Sequence, residues 1–175
     1  MTMKDRDYLG LAWFFGAHST CKRLGVGAVL VRDKRIISTG YNGAPSGLAH
    51  CTHDDITPCE RAVHAEANCI AFAAKVGIAT EGAVLYSTHA PCISCAQLII
   101  NSGIGKVVYG ERYRATEGQE LLEEAGIPVG QLDRSGMFIV PALYGDQPSL
   151  YTCEYCNSLL VERTAHVCSG GTGSE

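Results

Sequence analysis

The chain has 175 residues, of which 46% are apolar, and a formal net charge of −4. This length predicts one main domain, and the net acidity argues against a general binder of the nucleic-acid backbone, which would carry a basic face. No apolar run reaches the length of a membrane span, and the charged first eight residues lack the apolar core of an export signal.

The first part of the chain predicts a helix, a β-hairpin and a glycine-rich loop. Apolar residues recur at helical spacing over residues 3–18. Branched residues at 26–31 and 35–39, separated by a polar turn, predict the hairpin. The loop at 40–47 predicts unusual backbone angles or the close approach of a ligand, with a plain turn as the alternative.

The middle of the chain predicts strands that alternate with helices. The alanine-rich segment 64–76 predicts a buried helix, and 83–87 predicts a short strand. Residues 92–100 predict a second helix with Pro91 at its entrance, and 106–109 predict another buried strand.

A helix at 116–125 and a last strand, at either 127–132 or 137–140, complete the predicted elements. A hairpin followed by alternating strands and helices predicts a three-layer α/β/α domain with a mixed central sheet. In such a sheet the functional groups cluster at the strand ends.

The residues with the clearest chemical meaning are His64, Glu66, Cys92 and Cys95. One imidazole and two cysteines are ligands that zinc favours, and three protein ligands leave the fourth position open, as in catalytic zinc sites. The H-x-E…P-C-x-x-C pattern is the signature of the zinc-dependent nucleobase deaminases, in which the glutamate carries protons and does not bind the metal. The alternatives are a core histidine and an ordinary thiol pair.

The predicted helices would place these ligands at helix N-termini. Cys92 and Cys95 are three residues apart and would point the same way from the first turn. Free N–H groups and the helix dipole favour negative charge at that end, and therefore thiolate over thiol.

Much of the sequence resembles the deoxycytidylate (dCMP) deaminases of the cytidine deaminase superfamily. The zinc motifs alone would fit any cytosine, adenosine or guanine deaminase, and the glycine loop with Cys21 and His50-Cys51 narrows the resemblance to the dCMP branch. The resemblance covers roughly Tyr8 to Val129 and includes VGAV at 26–29, GYNG at 40–43, HAEAN at 64–68, PCISC at 91–95 and VVY at 107–109 with Tyr113.

The resemblance implies a cytidine deaminase-like fold and a zinc-dependent hydrolysis of dCMP to dUMP and ammonia, which supplies dUMP for thymidylate synthesis. Glu66 would take a proton from the attacking water and pass it to the base and then to the leaving amine. The backbone N–H of Ala65 and a carbonyl near Thr88 would position the edge of the base.

The resemblance also implies the residues that hold the rest of the nucleotide. Asn42 would bind the sugar 3′-hydroxyl, since an amide offers both donors and acceptors. Tyr113, together with Lys22 or Arg23, would hold the 5′-phosphate. The alternative is that Lys22 and Arg23 are ordinary solvated charges.

Family resemblance further implies a homo-oligomer, often a hexamer, with dCTP as activator and dTTP as inhibitor. Magnesium would accompany such a regulatory nucleotide. Phe72 and Lys75 lie where regulation or subunit packing occurs in relatives. Nine cysteines without an export signal point to metal ligands or catalysis and predict a cytoplasmic protein.

A second, structural zinc is also implied, because many relatives carry one. Cys21, Cys51 and Cys59 with His53, or with His50, would form a closed Cys₃His set. The alternative is three buried free thiols, which are common in protein cores.

Residues 1–148 are predicted to form the deaminase domain, residues 149–168 a separate tail, and the Gly/Ser-rich residues 169–175 a disordered end. The tail lies outside the family pattern and predicts a zinc-ribbon-like unit, since so short a segment buries little core and needs a metal to fold. A flexible tail is the alternative. The proposed ligands are Cys153, Cys156, His166 and Cys168.

The sequence allows rival functions. Within enzymes they are deamination of dCTP, of a 5-modified dCMP, or of another cytosine or adenosine such as a base in tRNA. Outside enzymes, the zinc sites would be the scaffold of a nucleic-acid-binding module, against which the net acidity and the presence of Glu66 argue.

Overall fold

The computed structural model describes residues 3–52, 59, 61–113, 116–132, 151–152 and 159–160. The chain divides into two units, residues 1–138 and 139–175. In chain order the elements of the first unit are α1 (Asp5–Gly16), β1 (Gly27–Arg32), β2 (Arg35–Tyr41), α2 (Ala65–Lys75), β3 (Val84–His89), α3 (Ile93–Asn101), β4 (Lys106–Glu111), α4 (Glu117–Glu124) and β5 (Val129–Gln131).

The five strands of this unit form one mixed sheet in the order β2-β1-β3-β4-β5. β1 is antiparallel to β2 and to β3, whereas β3, β4 and β5 are parallel. β1 and β2 are joined by Asp33 and Lys34, whose φ angles of 51° and 62° give the two-residue turn that suits the strand twist. The predicted hairpin followed by parallel strands is confirmed.

Alternating side chains of the sheet build a core on each face. Leu30, Leu85 and Val107 point to one face, where they pack with the buried residues of α2, α3 and α4. Their sequence neighbours Tyr86 and Val108 point to the other face, where α1 covers them. This period of two is the strand pattern, and it confirms the predicted three-layer α/β/α architecture.

Helix α2 is positioned on the sheet by a glycine of β2. An added Cβ at Gly40 would lie 2.5 Å from the carbonyl oxygen of Ala65 and 2.7 Å from the nitrogen of Cys69, so the two backbones touch there. The next glycine of the predicted loop, Gly43, forms an isolated bridge with Val63 immediately before α2. The unusual backbone angles predicted for this loop occur at Gly47, whose φ is 85°, whereas the approach of a ligand to the loop stays a prediction.

Two predicted boundaries shift in the structure. β3 extends to His89, so that Thr88 and His89 belong to the strand and not to the following turn. The second zinc helix begins at Ile93 with Cys92 as its N-cap, and Pro91 stands at its entrance as predicted. The last strand of the sheet is Val129–Gln131, and the alternative at 137–140 lies outside the described residues.

The described residues of the second unit form a short antiparallel pair, β6 (Tyr151–Thr152) with β7 (Leu159–Leu160). The boundaries predicted at residues 148 and 168 stay predictions, since they lie outside the described residues. Across the described part of the chain, none of the helices combines the length and the apolar character needed to span a bilayer.

Candidate active site

The N-termini of two helices bring the three predicted ligands together. His64 is the N-cap of α2, Cys92 is the N-cap of α3, and Cys95 lies in the first turn of α3. The Nδ1 atom of His64 lies 3.4 Å from the Sγ atoms of both Cys92 and Cys95. All three ligand atoms lie within 4.8 Å of one another, the one such group of three or more His, Cys, Asp or Glu residues among those described.

These separations fit a tetrahedral zinc ion. Zinc bonds of about 2.0–2.1 Å to nitrogen and about 2.3 Å to sulfur place the two donor types roughly 3.5 Å apart. The observed N···S separations of 3.4 Å are close to that value. The arrangement leaves the fourth tetrahedral position to a non-protein ligand, as in catalytic zinc sites.

The charges of the three donors also favour a cation between them. Hydrogen bonds from Cys95 and His64 lower the pKa of the Cys92 thiol to about 3, which makes it a thiolate. The pKa of Cys95 is raised, first by its bond to Cys92 and then by burial. The two sulfurs thus share one proton. A divalent ion would displace this proton, since it stabilises both sulfurs as thiolates.

Glu66 lies beside this group in the first turn of α2 and is buried. The hydroxyl of Ser87 donates to its Oε1 at 3.4 Å, and its Oε2 lies 3.8 Å from the Sγ of Cys95. Burial raises the pKa of the Glu66 carboxyl above its usual value. A carboxyl with a raised pKa can both accept and return a proton near neutral pH.

His64, Cys92 and Glu66 line a cavity of about 350 Å³, which is large enough for a small organic ligand. Its wall includes residues from the segment before β1, from the ends of β3 and β4, from the first turn of α2 and from the N-cap of α3. The lining residues are Cys21, Arg23, Leu24, Val26, Asn42, Cys59, Ala62, His64, Ala65, Glu66, His89, Ala90, Cys92, Glu111, Arg112 and Tyr113.

The predicted substrate residues divide into two groups. Asn42, Ala65, Tyr113 and Arg23 line the cavity, whereas Lys22 is exposed and is not part of the lining. Thr88 is also outside the lining, and its buried hydroxyl accepts a hydrogen bond from the N–H of Gly27 at 3.2 Å.

Asn42 shapes the cavity as well as lining it. Its Oδ1 accepts from the N–H of Val26 at 2.8 Å, and its Nδ2 donates to the carbonyl of Leu24 at 2.7 Å. Each end of the amide has one further hydrogen-bonding position. Asn42 therefore fixes the chain that leads into β1 and can still bond a ligand hydroxyl.

Sequence reasoning missed three polar residues of the wall: His89, Glu111 and Arg112. The Nε2 of His89 lies 3.3 Å from the Oε2 of Glu111, and its Nδ1 lies 3.0 Å from the hydroxyl of Thr88. His89 and Glu111 are paired across the parallel strands β3 and β4. The signal was the position of both residues at carboxyl ends of predicted parallel strands, where sites in such sheets form.

Of the ligands predicted for the structural zinc, Cys21, His50, Cys51 and Cys59 are described, and they do not form a group of three donors within 4.8 Å of one another. The Sγ atoms of Cys51 and Cys59 lie 3.2 Å apart, and this contact is the main reason why the pKa of Cys51 is raised, with a smaller contribution from Cys21. His53 lies outside the described residues. The proposed tail ligands Cys153, Cys156, His166 and Cys168 also lie outside the described residues.

Known proteins share both the sequence pattern and the fold. Residues 3–111 match the family model of the cytidine and deoxycytidylate deaminase zinc-binding region. ComE operon protein 2 of Bacillus subtilis is 42% identical over 77% of this chain and 74% of its own length. The deoxycytidylate deaminase of Mycobacterium phage D29 is 40% identical over 60% of this chain and 92% of its own length.

A solved structure shows the same architecture. The dCMP deaminase of the cyanophage S-TIM5, crystallised with dCMP and dUMP, matches with a TM-score of 0.68 and 35% identity. The match covers 71% of this chain and 93% of the cyanophage chain.

Replacement of a thiolate ligand should remove the metal. We expect Cys92→Ser to reduce the zinc content of the purified protein by one equivalent per chain, because a serine hydroxyl is a far weaker zinc ligand than a thiolate. Zinc is counted by mass spectrometry. Cys69→Ser is the control, since Cys69 is a buried thiol of α2 outside the ligand group. An unchanged zinc content in Cys92→Ser would refute the assignment.

Proposed function

Because the chain belongs to the cytidine and deoxycytidylate deaminase family, we propose that it hydrolyses dCMP to dUMP and ammonia with a zinc ion held by His64, Cys92 and Cys95. The observation that carries the proposal is the His/Cys/Cys group, two of whose members, His64 and Cys92, share the wall of one cavity with the buried Glu66. The named relatives that act on dCMP support this choice of substrate.

Glu66 is the proton carrier in this proposal. Zinc at this site would supply a Lewis acid that lowers the pKa of water from 15.7 towards about 7. Glu66 takes a proton from the water that attacks C4 of cytosine, and passes it to N3 of the ring. Glu66 then delivers the second proton of the water to the exocyclic amine, which leaves as ammonia.

The geometry around Glu66 suits this proton transfer. Ser87 donates to one carboxyl oxygen at 3.4 Å, and the other oxygen lies 3.8 Å from the Sγ of Cys95, beside the ligand group where the proton would be transferred. Ala65 is the first residue of α2 and lines the cavity, so its backbone N–H belongs to the unpaired donors of the helix start. That N–H can bond the edge of the base.

The far end of the nucleotide would meet the cationic part of the cavity. We assign the 5′-phosphate to Tyr113 and Arg23, and add Arg112, which lines the same cavity. The Nε of Arg112 donates to the Oε1 of Gln131 at 3.3 Å, which leaves its terminal nitrogens for an anion. Asn42 would bond the 3′-hydroxyl.

We propose a second, structural zinc at Cys21, Cys51 and Cys59, with His53 or His50 as the fourth ligand. The supporting observation is the 3.2 Å contact between the sulfurs of Cys51 and Cys59. Both Cys21 and Cys59 line the cavity, so an ion there would also stiffen its wall.

For the tail we propose a third zinc, bound by Cys153, Cys156, His166 and Cys168. The antiparallel pairing of Thr152 with Leu159 supports it, since these strands flank the first two cysteines in sequence.

We also propose a cytoplasmic homo-oligomer, a hexamer by family resemblance. No disulfide joins the six described cysteines, which supports a reducing compartment. Exposed apolar side chains on and beside α2 and α3, namely Phe72, Val76, Ile93 and Leu98, support self-association. Activation by dCTP and inhibition by dTTP, with magnesium on the regulatory nucleotide, are proposed on the resemblance alone.

A substrate panel tests the proposed reaction. Ammonia release is followed with dCMP, dCTP, deoxycytidine and a 5-substituted dCMP at equal concentrations. We expect kcat/KM for dCMP to exceed that for deoxycytidine roughly a hundred-fold or more, because two charged hydrogen bonds to the phosphate contribute about 1.5–3 kcal/mol each. A higher kcat/KM for dCTP or for the 5-substituted nucleotide would show that dCMP is not the preferred substrate. Release from none of them would favour a binding module.

Removal of the carboxyl should separate catalysis from metal binding. We expect Glu66→Gln to keep its zinc, while its kcat falls about 10²–10⁴-fold, because the amide keeps the shape of the side chain and cannot carry a proton. The matched control is Glu124→Gln, at the exposed end of α4. Deamination by Glu66→Gln at the rate of the unmodified protein would remove Glu66 from the mechanism.

The structural zinc has its own test. We expect Cys51→Ser to lose one zinc equivalent and to unfold at a lower temperature, while Cys69→Ser keeps the full zinc content. Zinc is counted by mass spectrometry and unfolding is followed by calorimetry. A full zinc content in Cys51→Ser would leave Cys21, Cys51 and Cys59 as free thiols.

A further inference from the structure

The start of α4 lies directly against the turn that carries a metal ligand. An added Cβ at Gly118, the second residue of α4, would lie 2.7 Å from the carbonyl carbon and 2.9 Å from the carbonyl oxygen of Cys92. It would come closer still to the carbonyl oxygen of Pro91. All three atoms are backbone atoms, so no flexible side chain can move aside.

The backbone touched by Gly118 controls two ligands. Cys92 is the N-cap of α3, and its carbonyl accepts the hydrogen bond of the Ala96 N–H at 2.9 Å. Cys95 lies in the turn that this bond closes. A displacement of the Cys92 carbonyl would therefore move the sulfur of Cys92 and tilt the first turn that holds Cys95.

Helix α4 cannot easily withdraw from the turn. Leu122, one turn after Gly118, is fully buried in the same core cluster as Ala96 and Ile99 of α3. The neighbouring Gln119 accepts a hydrogen bond at 3.2 Å from the hydroxyl of Tyr109 in β4. Withdrawal of α4 would empty space in this core and break that bond, so a bulkier residue at 118 would displace the turn.

We propose that Gly118 is a positioning residue of the metal site: because it has no side chain, α4 presses on the Cys92 carbonyl and holds the Cys92 sulfur within reach of His64. This rests on the zinc site of the proposed function and not on the identity of the substrate. Gly118 makes no contact with the reacting atoms and acts through Cys92.

The helix propensity of alanine makes the Gly118→Ala variant informative, because it predicts a change in helix stability opposite in direction to the expected loss of metal affinity. Alanine is a better helix former than glycine, so Gly118→Ala would stabilise α4 if only the helix were affected. A loss of metal affinity in this variant must then come from the contact with the Pro91–Cys92 backbone.

The test measures metal binding and not activity. Metal-free Gly118→Ala is titrated with zinc against a chelator, and with Co²⁺ while the thiolate charge-transfer and ligand-field bands are recorded. We expect zinc affinity to fall roughly ten- to a hundred-fold, as for other groups that orient metal ligands, and the Co²⁺ bands to shift. Those bands report the arrangement of the ligands.

Two controls separate positioning from general damage. Gly130→Ala adds the same methyl group where nothing lies within 4 Å, and should behave as the unmodified protein. Leu9→Ala removes a buried side chain of α1 on the other face of the sheet, so it should unfold at a lower temperature but keep the Co²⁺ bands. Unchanged zinc affinity and unchanged Co²⁺ bands in Gly118→Ala would overturn the proposal.

A measurement on the unmodified protein keeps the test decisive if Gly118→Ala does not fold. Amide hydrogen exchange is compared between the metal-free and the zinc-loaded protein. We expect zinc to slow exchange in α4 as well as in α2 and α3, since the clamped turn supports α4 in return, and to leave α1 unaffected. Equal exchange in α4 with and without zinc would contradict the coupling.

Discussion

The structure depends on the meeting of two helix N-termini beside the ends of parallel strands. His64 begins α2 and Cys92 begins α3, and the Nδ1 of His64 reaches the sulfurs of Cys92 and Cys95 at 3.4 Å. Helix starts supply unpaired N–H groups and a positive dipole end, which stabilise thiolates. One arrangement thus fixes the ligand geometry, the ligand charge and the place of Glu66.

Close backbone contacts maintain this meeting point. Gly40 lets α2 lie against β2, and Gly118 lets α4 lie against the Cys92 turn. The sheet, which packs α2, α3 and α4 on one face, sets the spacing of these helices, and its parallel strands β3 and β4 end at the same edge. The polar wall of the cavity, with the His89–Glu111 pair, comes from these two strand ends. The contacts that hold the fold together at this point therefore also shape the site.

The sequence was sufficient to predict the layers and the ligand group, because both rest on local signals. The run of branched residues at 26–31 identifies a buried strand, and the spacing of Cys92 and Cys95 identifies a helix turn with two like-facing thiols. The His89–Glu111 pair depends on strand register, and the role of Gly118 depends on how α4 packs. Neither leaves a local pattern, and the choice of Arg23 over Lys22 for the cavity wall likewise required the structure.

The most direct test of the account is an anomalous difference map from crystals of the purified protein, with data collected just above the zinc absorption edge. The account predicts a peak about 2.0–2.1 Å from the Nδ1 of His64 and about 2.3 Å from the sulfurs of Cys92 and Cys95. A map of the folded, active protein with no peak between these three atoms would contradict it.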